Sequence, residues 1–178
     1  MAKIDVIQRA IVTPDKHFPI HDKKAINVVC KAIEMVKPDT YIDLGDTGEW
    51  EYFNTNYWKG RSAKPMEDLI PLLDSDVNAV NEGMDIIDAS LDKVGCNTRH
   101  FVQGNHELWL DNFVIRYPYL KHYKTENALR LKERGYKYHP YNRKKLLKIG
   151  KINFTHGKYT TKYHSFKHLD MYGESIMY

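Results

Sequence analysis

Four short apolar runs in this sequence are each followed at once by aspartate, asparagine or histidine lying beside a proline or a glycine. Between the runs lie longer segments with helical periodicity, so strands alternate with helices. That alternation directs the chain to an α/β layered fold built on a mixed sheet. In such sheets ligands gather outside the carboxyl ends of the strands. The residues that follow the runs are therefore the ones the fold would bring together.

Val6 to Val12 reads as a strand broken by Thr13-Pro14. Asp22 is placed to cap a helix carrying Ala25, Val28, Val29, Ala32, Ile33 and Val36, which Lys37-Pro38 ends. Thr40 to Leu44 is a second strand stopped by Gly45. Val77, Val80, Met84, Ile87, Leu91 and Val94 recur at three- and four-residue steps and give one long helix an apolar stripe for the core. Arg99 to Gln103 is a third strand, stopped by Gly104. Glu126 to Arg134 has the charge pattern of a surface helix closed by Gly135. Leu146 to Thr155 reads as a hairpin turning at Gly150-Lys151. Thr161 to Tyr172 is a last helix ended by Gly173, and Ser175 to Tyr178 begins another strand.

With 178 residues, the chain is expected to form one domain over 1–178. A 42% hydrophobic share closes a core, while 28% charged residues and a mean hydropathy of -0.60 exclude a disordered or membrane-spanning chain. Cys30 and Cys96 belong to no Cys-x-x-Cys pair, so a thiolate metal site and a disulfide framework are excluded. The N-terminus has no long apolar stretch of a secretory leader, which makes the cytoplasm, a host's cytoplasm for a viral protein, the expected compartment. Charge is uneven. Glu67 to Lys93 holds eight acids against one lysine, and Arg116 to Lys151 holds twelve Lys or Arg against Glu126 and Glu133. Two solvated faces of opposite sign, or a basic rim that attracts an anionic substrate, would each account for that.

The chemistry lies in the residues after the strands. Asp15-Lys16-His17 follows the first, Gly45-Asp46 the second, Gly104-Asn105-His106-Glu107 the third, and His156-Gly157 the hairpin. Carboxylate, imidazole and amide donors without thiolate suit Mn, Fe, Ni or Zn in a catalytic setting rather than a structural zinc. The set exceeds the needs of one open ion. Two divalent metal ions, Mn favoured, are therefore expected to clamp a phosphoryl group and share a hydroxide nucleophile.

The order Asp-x-His, Gly-Asp, Gly-Asn-His-Glu, His-Gly resembles the calcineurin-like metallophosphoesterases. With the stretch His164 to Gly173, it is most similar to the small phosphoesterases encoded by bacteriophages. The resemblance implies a layered α/β/β/α sandwich with mixed sheets and a binuclear phosphatase or phosphodiesterase. It implies that Asp15 and His17 bind the first metal, that Asp46 bridges, and that Asn105 and His156 bind the second. Asn105 and His106 would contact the phosphate, with His106 as the general acid, and Glu107 would orient a neighbouring imidazole. The expected partner is a phosphorylated small molecule or nucleotide.

One element of that pattern is missing. A Gly-His-x-His after the final strand would give each metal one more histidine, and no such sequence occurs. A split or truncated phosphoesterase, completed by another polypeptide or a homo-oligomer, is therefore a second expectation. A third is a nucleic-acid module built on Arg143-Lys144-Lys145 and the tyrosines, with affinity that falls steeply with salt. His164 and His168 sit four apart, a spacing that can hold a metal, and read as supporting the ligands from behind or facing substrate rather than as ligands themselves. His21, His100, His122 and His139 have no motif and read as surface or hydrogen-bonded residues. Trp50, Tyr52, Phe53, Tyr57 and Trp58 would either pack or face a nucleobase.

Overall fold

A computed structural model describes residues 8–62, 64–142, 145–157, 161–173 and 175–178. Val6 and Ile7 of the first expected strand, and Arg143 and Lys144 of the basic triplet, lie outside them. The chain is mixed α/β. Strand β1 (Ala10–Thr13) is followed by helix α1 (Lys23–Val36), β2 (Thr40–Asp43), α2 (Met66–Lys93) and β3 (Thr98–Val102). Then come α3 (Asn105–Arg116), a single turn α4 (Thr125–Ala128) and β4 (Tyr136–His139). The hairpin β5 (Leu147–Ile149) and β6 (Ile152–Phe154), helix α5 (His164–Tyr172) and β7 (Ile176–Met177) complete it.

Strands β1 to β4 form one parallel sheet in sequential order. Every crossover returns over a helix, so all four carboxyl ends share one edge. The first helix starts as expected: the Asp22 carboxylate accepts the Lys24 and Ala25 amides at 2.7 and 3.4 Å. It stops at Lys37, whose φ of 48° leaves the helix just before Pro38. Tyr41, Phe101 and Tyr136 on one sheet face pack with Ile26 and Ile33 of α1 and Leu73, Met84 and Leu91 of α2. On the opposite face Ile42, Leu44 and Val102 meet Phe154, with Leu147 and Ile149 beside it. The second sheet, β5-β6-β7, thus lies against the first, with β5 and β6 antiparallel and β6 and β7 parallel.

The segment expected as a charged surface helix, Glu126 to Arg134, is helical only through Ala128 and then becomes a series of turns. Leu129 and Leu131 are both fully buried. Residues two apart face different sides of a helix, so burying both defeats that conformation. The acidic and basic stretches also touch. Arg134 reaches Asp85 at 2.6 Å and Asp88 at 2.5 Å on α2, and Arg99 joins Asp88 at 3.2 Å. Cys30 and Cys96 are free thiols. Among the described residues no helix is long and apolar enough to cross a membrane.

Candidate metal centre

The loops after β2 and β3 meet backbone to backbone, and two glycines make this feasible. A Cβ on Gly45 (φ +90°) would stand 2.3 Å from the Gly104 nitrogen, and one on Gly104 would stand 2.2 Å from Asp46 Oδ1. No side chain fits at either position. The contact brings Asp46 onto the start of α3, where its Oδ1 accepts the His106 amide at 2.9 Å. Asp15, His17, Asp46 and Trp50 all have positive φ, at 50°, 51°, 49° and 28°. Left-handed backbone is costly for such residues and survives only where surroundings impose it, typically at functional sites.

Three imidazoles converge on Asp46 in the same manner. His17 Nδ1 lies 2.7 Å from Glu49 Oε2, His156 Nδ1 lies 2.9 Å from the Leu44 carbonyl, and His106 Nδ1 bonds the Glu49 carbonyl. Each of these oxygens accepts, so each Nδ1 carries a proton and each Nε2 is the nitrogen left to face the centre. His106 Nε2 is 3.8 Å from Asp46 Oδ2, and His156 Nε2 is 3.2 Å from it. Asn105 Oδ1 also faces His156 Nε2, at 2.9 Å. Donor atoms of His17, Asp46 and His106 lie within 4.8 Å of one another, as do those of Asp15, Asp46 and His156. Each group of three donors could hold a metal ion, and the two groups share the Asp46 carboxylate.

The electrostatics agree with that fit. Burial pulls His156 down, but its bond to Asp46, the Asp46 and Glu107 charges and the Leu44 carbonyl outweigh it and raise the imidazole to about 9. A proton there balances Asp46 and would be displaced by a bound cation. Glu107 is fully buried beneath the loops. Its Oε2 accepts the Gly104 and Asp46 amides, both at 2.9 Å, and its Oε1 accepts Thr47 at 2.8 Å and Gly48 at 3.4 Å. Burial first, then the Asp46 charge, pushes Glu107 up to about 7. Asp43 supports the same turn, accepting Gly45 N–H and Thr47 Oγ1 at 3.0 Å each and pairing with buried Lys16 at 2.7 Å.

Asp15, His17, Asp46, Asn105, His106 and His156 are thus all brought to one place. Asp15 Oδ1 lies 3.9 Å from His17 Nε2, the pair expected to share the first metal, and the two donor groups also bring Asp15 to His156 and His106 to His17. Glu107 holds backbone amides rather than an imidazole, because at the start of α3 it points under the two loops. The residue that orients an imidazole is Glu49, three positions past Asp46 and overlooked in the sequence. His168 is fully buried and stacked on Tyr178 at 3.9 Å, and His164 Nδ1 lies 3.0 Å from the Tyr178 hydroxyl. These two face Tyr178 and are in neither donor group. Trp50 and Phe53 are buried in the core rather than set out for a base, and Phe53 packs on Phe113 of α3.

Glu49→Gln keeps the size of the side chain but removes the charge that fixes His17. Metal affinity is expected to fall about 10–100-fold, read by titration of Mn or Zn into the metal-free protein. Unchanged affinity would mean that His17 is no ligand.

Comparison of the chain with protein-family models, with curated proteins and with solved structures finds no match.

Proposed function

We propose that this chain is a two-metal phosphoesterase of the calcineurin-like kind, hydrolysing phosphomonoesters or phosphodiesters. The observation that carries the reading is the common arrangement of His17, His106 and His156. In all three, Nδ1 is tied to an oxygen, with Nε2 of His106 and His156 turned toward Asp46 and Nε2 of His17 toward Asp15. Structural histidines have no reason to share that orientation, whereas ligand histidines need it. A four-stranded parallel sheet against a three-stranded one also supports the layered sandwich that goes with this activity.

Asp15, His17, Asp46, Asn105 and His156, with His106 alongside, would hold two divalent cations, which when bound would supply Lewis-acid polarisation of phosphoryl oxygens and lower the pKa of water. The chain's own groups do the rest. His106 keeps its Nδ1 proton on the Glu49 carbonyl, so a second proton, on Nε2, is the one it gives to a departing oxygen. Asn105 offers an amide to a phosphate oxygen. Glu107 and Asp43 hold the loops that carry Asp46, so the donors need little rearrangement before substrate binds.

The test is hydrolysis of p-nitrophenyl phosphate and bis(p-nitrophenyl) phosphate with Mn, Ni or Zn, with metal content measured on the same sample. Turnover that a chelator abolishes, with two ions per chain, is the expected result. No turnover with any of the three ions, together with no metal uptake, would overturn the reading.

A further inference from the structure

A basic cleft opens between the edge strand β4 and the hairpin, with a volume of about 520 Å³. Lys137, His139, Asn142, Lys145 and Lys148 line it, and among the described residues no carboxylate does. Lys137 and His139 alternate with Tyr138 along β4 and so share a face. Lys145 and Lys148 come from the opposite wall. The positive charge converges on the imidazole: burial first, then His100, Lys137 and Lys145 depress His139 to about 4. The neighbouring His100 Nδ1 lies 2.9 Å from His139 Nε2. At neutral pH both rings are neutral, and the lysines carry the charge of the cleft.

Its place in the fold gives it a purpose. The carboxyl end of β4 is on the same sheet edge as the ends of β1, β2 and β3, from which the metal donors project. The Tyr141 amide donates to Gln103 Oε1 at 2.8 Å, two residues before Asn105. A narrow extension of the cleft shares His139, Asn142 and Lys145 with it and ends at Phe154 and Thr155. Thr155 directly precedes His156. The walls of the cleft are thus tied to segments that carry the candidate centre, one through Tyr141 and Gln103 and the other through Thr155.

We infer that this cleft binds a second phosphate group of the substrate, one flanking the phosphate that is cut. That role rests on the phosphoesterase reading, whereas the affinity of the cleft for phosphate does not. The substrate would then be a chain of linked phosphates. Two sources share that chemistry, the polyphosphate tail of a nucleotide and the backbone of a short single strand. Lysines suit both, since they bind phosphate as point charges without demanding one geometry.

The experiment compares the wild type with Lys137→Glu/Lys145→Glu, with Lys24→Glu/Lys31→Glu on the exposed side of α1 as the control of equal net charge. In chelator, inorganic tripolyphosphate is titrated into each protein by calorimetry. The double variant is expected to bind about tenfold or more weakly, the control within twofold, and wild-type binding to weaken as salt rises. With Mn, three substrates are then compared: bis(p-nitrophenyl) phosphate, a nucleoside triphosphate and a six-nucleotide single strand. The double variant should raise KM about tenfold for the triphosphate or the strand, whichever is the source, and leave the aryl diester unchanged. Wild-type protein that does not bind tripolyphosphate, or a double variant that binds it equally well, overturns the inference. So does an equal loss on all three substrates. Tripolyphosphate binding that the double variant loses, with no ester hydrolysed by either protein, sustains the cleft and removes only the phosphoesterase reading.

Discussion

Asp46→Asn is expected to abolish metal-dependent hydrolysis while leaving a folded chain. Asp46 is the one carboxylate common to both donor groups, so its loss weakens both at once. A fall in kcat of roughly a thousandfold corresponds to about 4 kcal/mol of transition-state stabilisation, an ordinary share for charge stabilisation by metals. The metal-free protein should stay folded but lose some stability. His156 and His106 hold the Asp46 carboxyl below the usual range despite its burial, so its charge stabilises the folded chain. An amide keeps the oxygen that accepts the His106 amide but removes the charge that holds a proton on His156. Thermal melts without metal should therefore fall below the wild type near neutral pH, and the His156 imidazole should titrate well below about 9 in NMR. A variant that keeps wild-type turnover would exclude Asp46 from the chemistry.

The second large effect is on stability. Glu107→Gln replaces two acceptor oxygens by one, and the new amide group faces backbone donors in place of an acceptor. Two of the four amides from Gly104, Asp46, Thr47 and Gly48 then lose their partner in a fully buried position. The expected cost is about 3–5 kcal/mol, enough to unfold a marginal domain, and chemical denaturation measures it. A cost below 1 kcal/mol would mean that water reaches these amides. Wild-type Glu107 also imposes a pH dependence. Its folded value near 7 lies above the 4.5 of a free side chain, so the folded chain holds the proton more tightly between those values. Its contribution therefore declines as pH rises from 4.5 through 7. His156, raised to about 9, contributes below 6.5 and loses that contribution as pH climbs through 9. Melting temperature of the metal-free protein should thus fall between pH 5 and pH 9, and Mn should flatten the decline.

Much of this was legible in the sequence because it depends on local rules. Strands β2 and β3 end where Gly45 and Gly104 end them, and Asp22 caps α1 as its side chain requires. The candidate donors were legible for the same reason, since they follow strands whose ends a parallel sheet must align. What was not legible depends on contacts between distant segments. Strand β4 reads Tyr-Lys-Tyr-His, polar at every second position, and becomes a strand because its tyrosines pack on Tyr41 and Phe101. Glu49 looks like any turn carboxylate until the loop carries it 32 residues back onto His17. Arg134 looks solvated until Asp88 on α2 takes it.

The interlocked glycines carry a consequence for how the chain reaches its final state. Gly45 and Gly104 touch across 59 positions of sequence, and His156 must then arrive from 112 positions away to meet the Leu44 carbonyl. Contacts of such long range form late, after the closure entropy of the intervening chain has been overcome. The centre is thus assembled only when nearly everything else is in place. A cation that binds it selects the finished chain over every partly built one, adding about 2.7 kcal/mol at a hundred times its dissociation constant. The supply of metal would then govern the lifetime of the fold as well as the rate of any reaction at the centre.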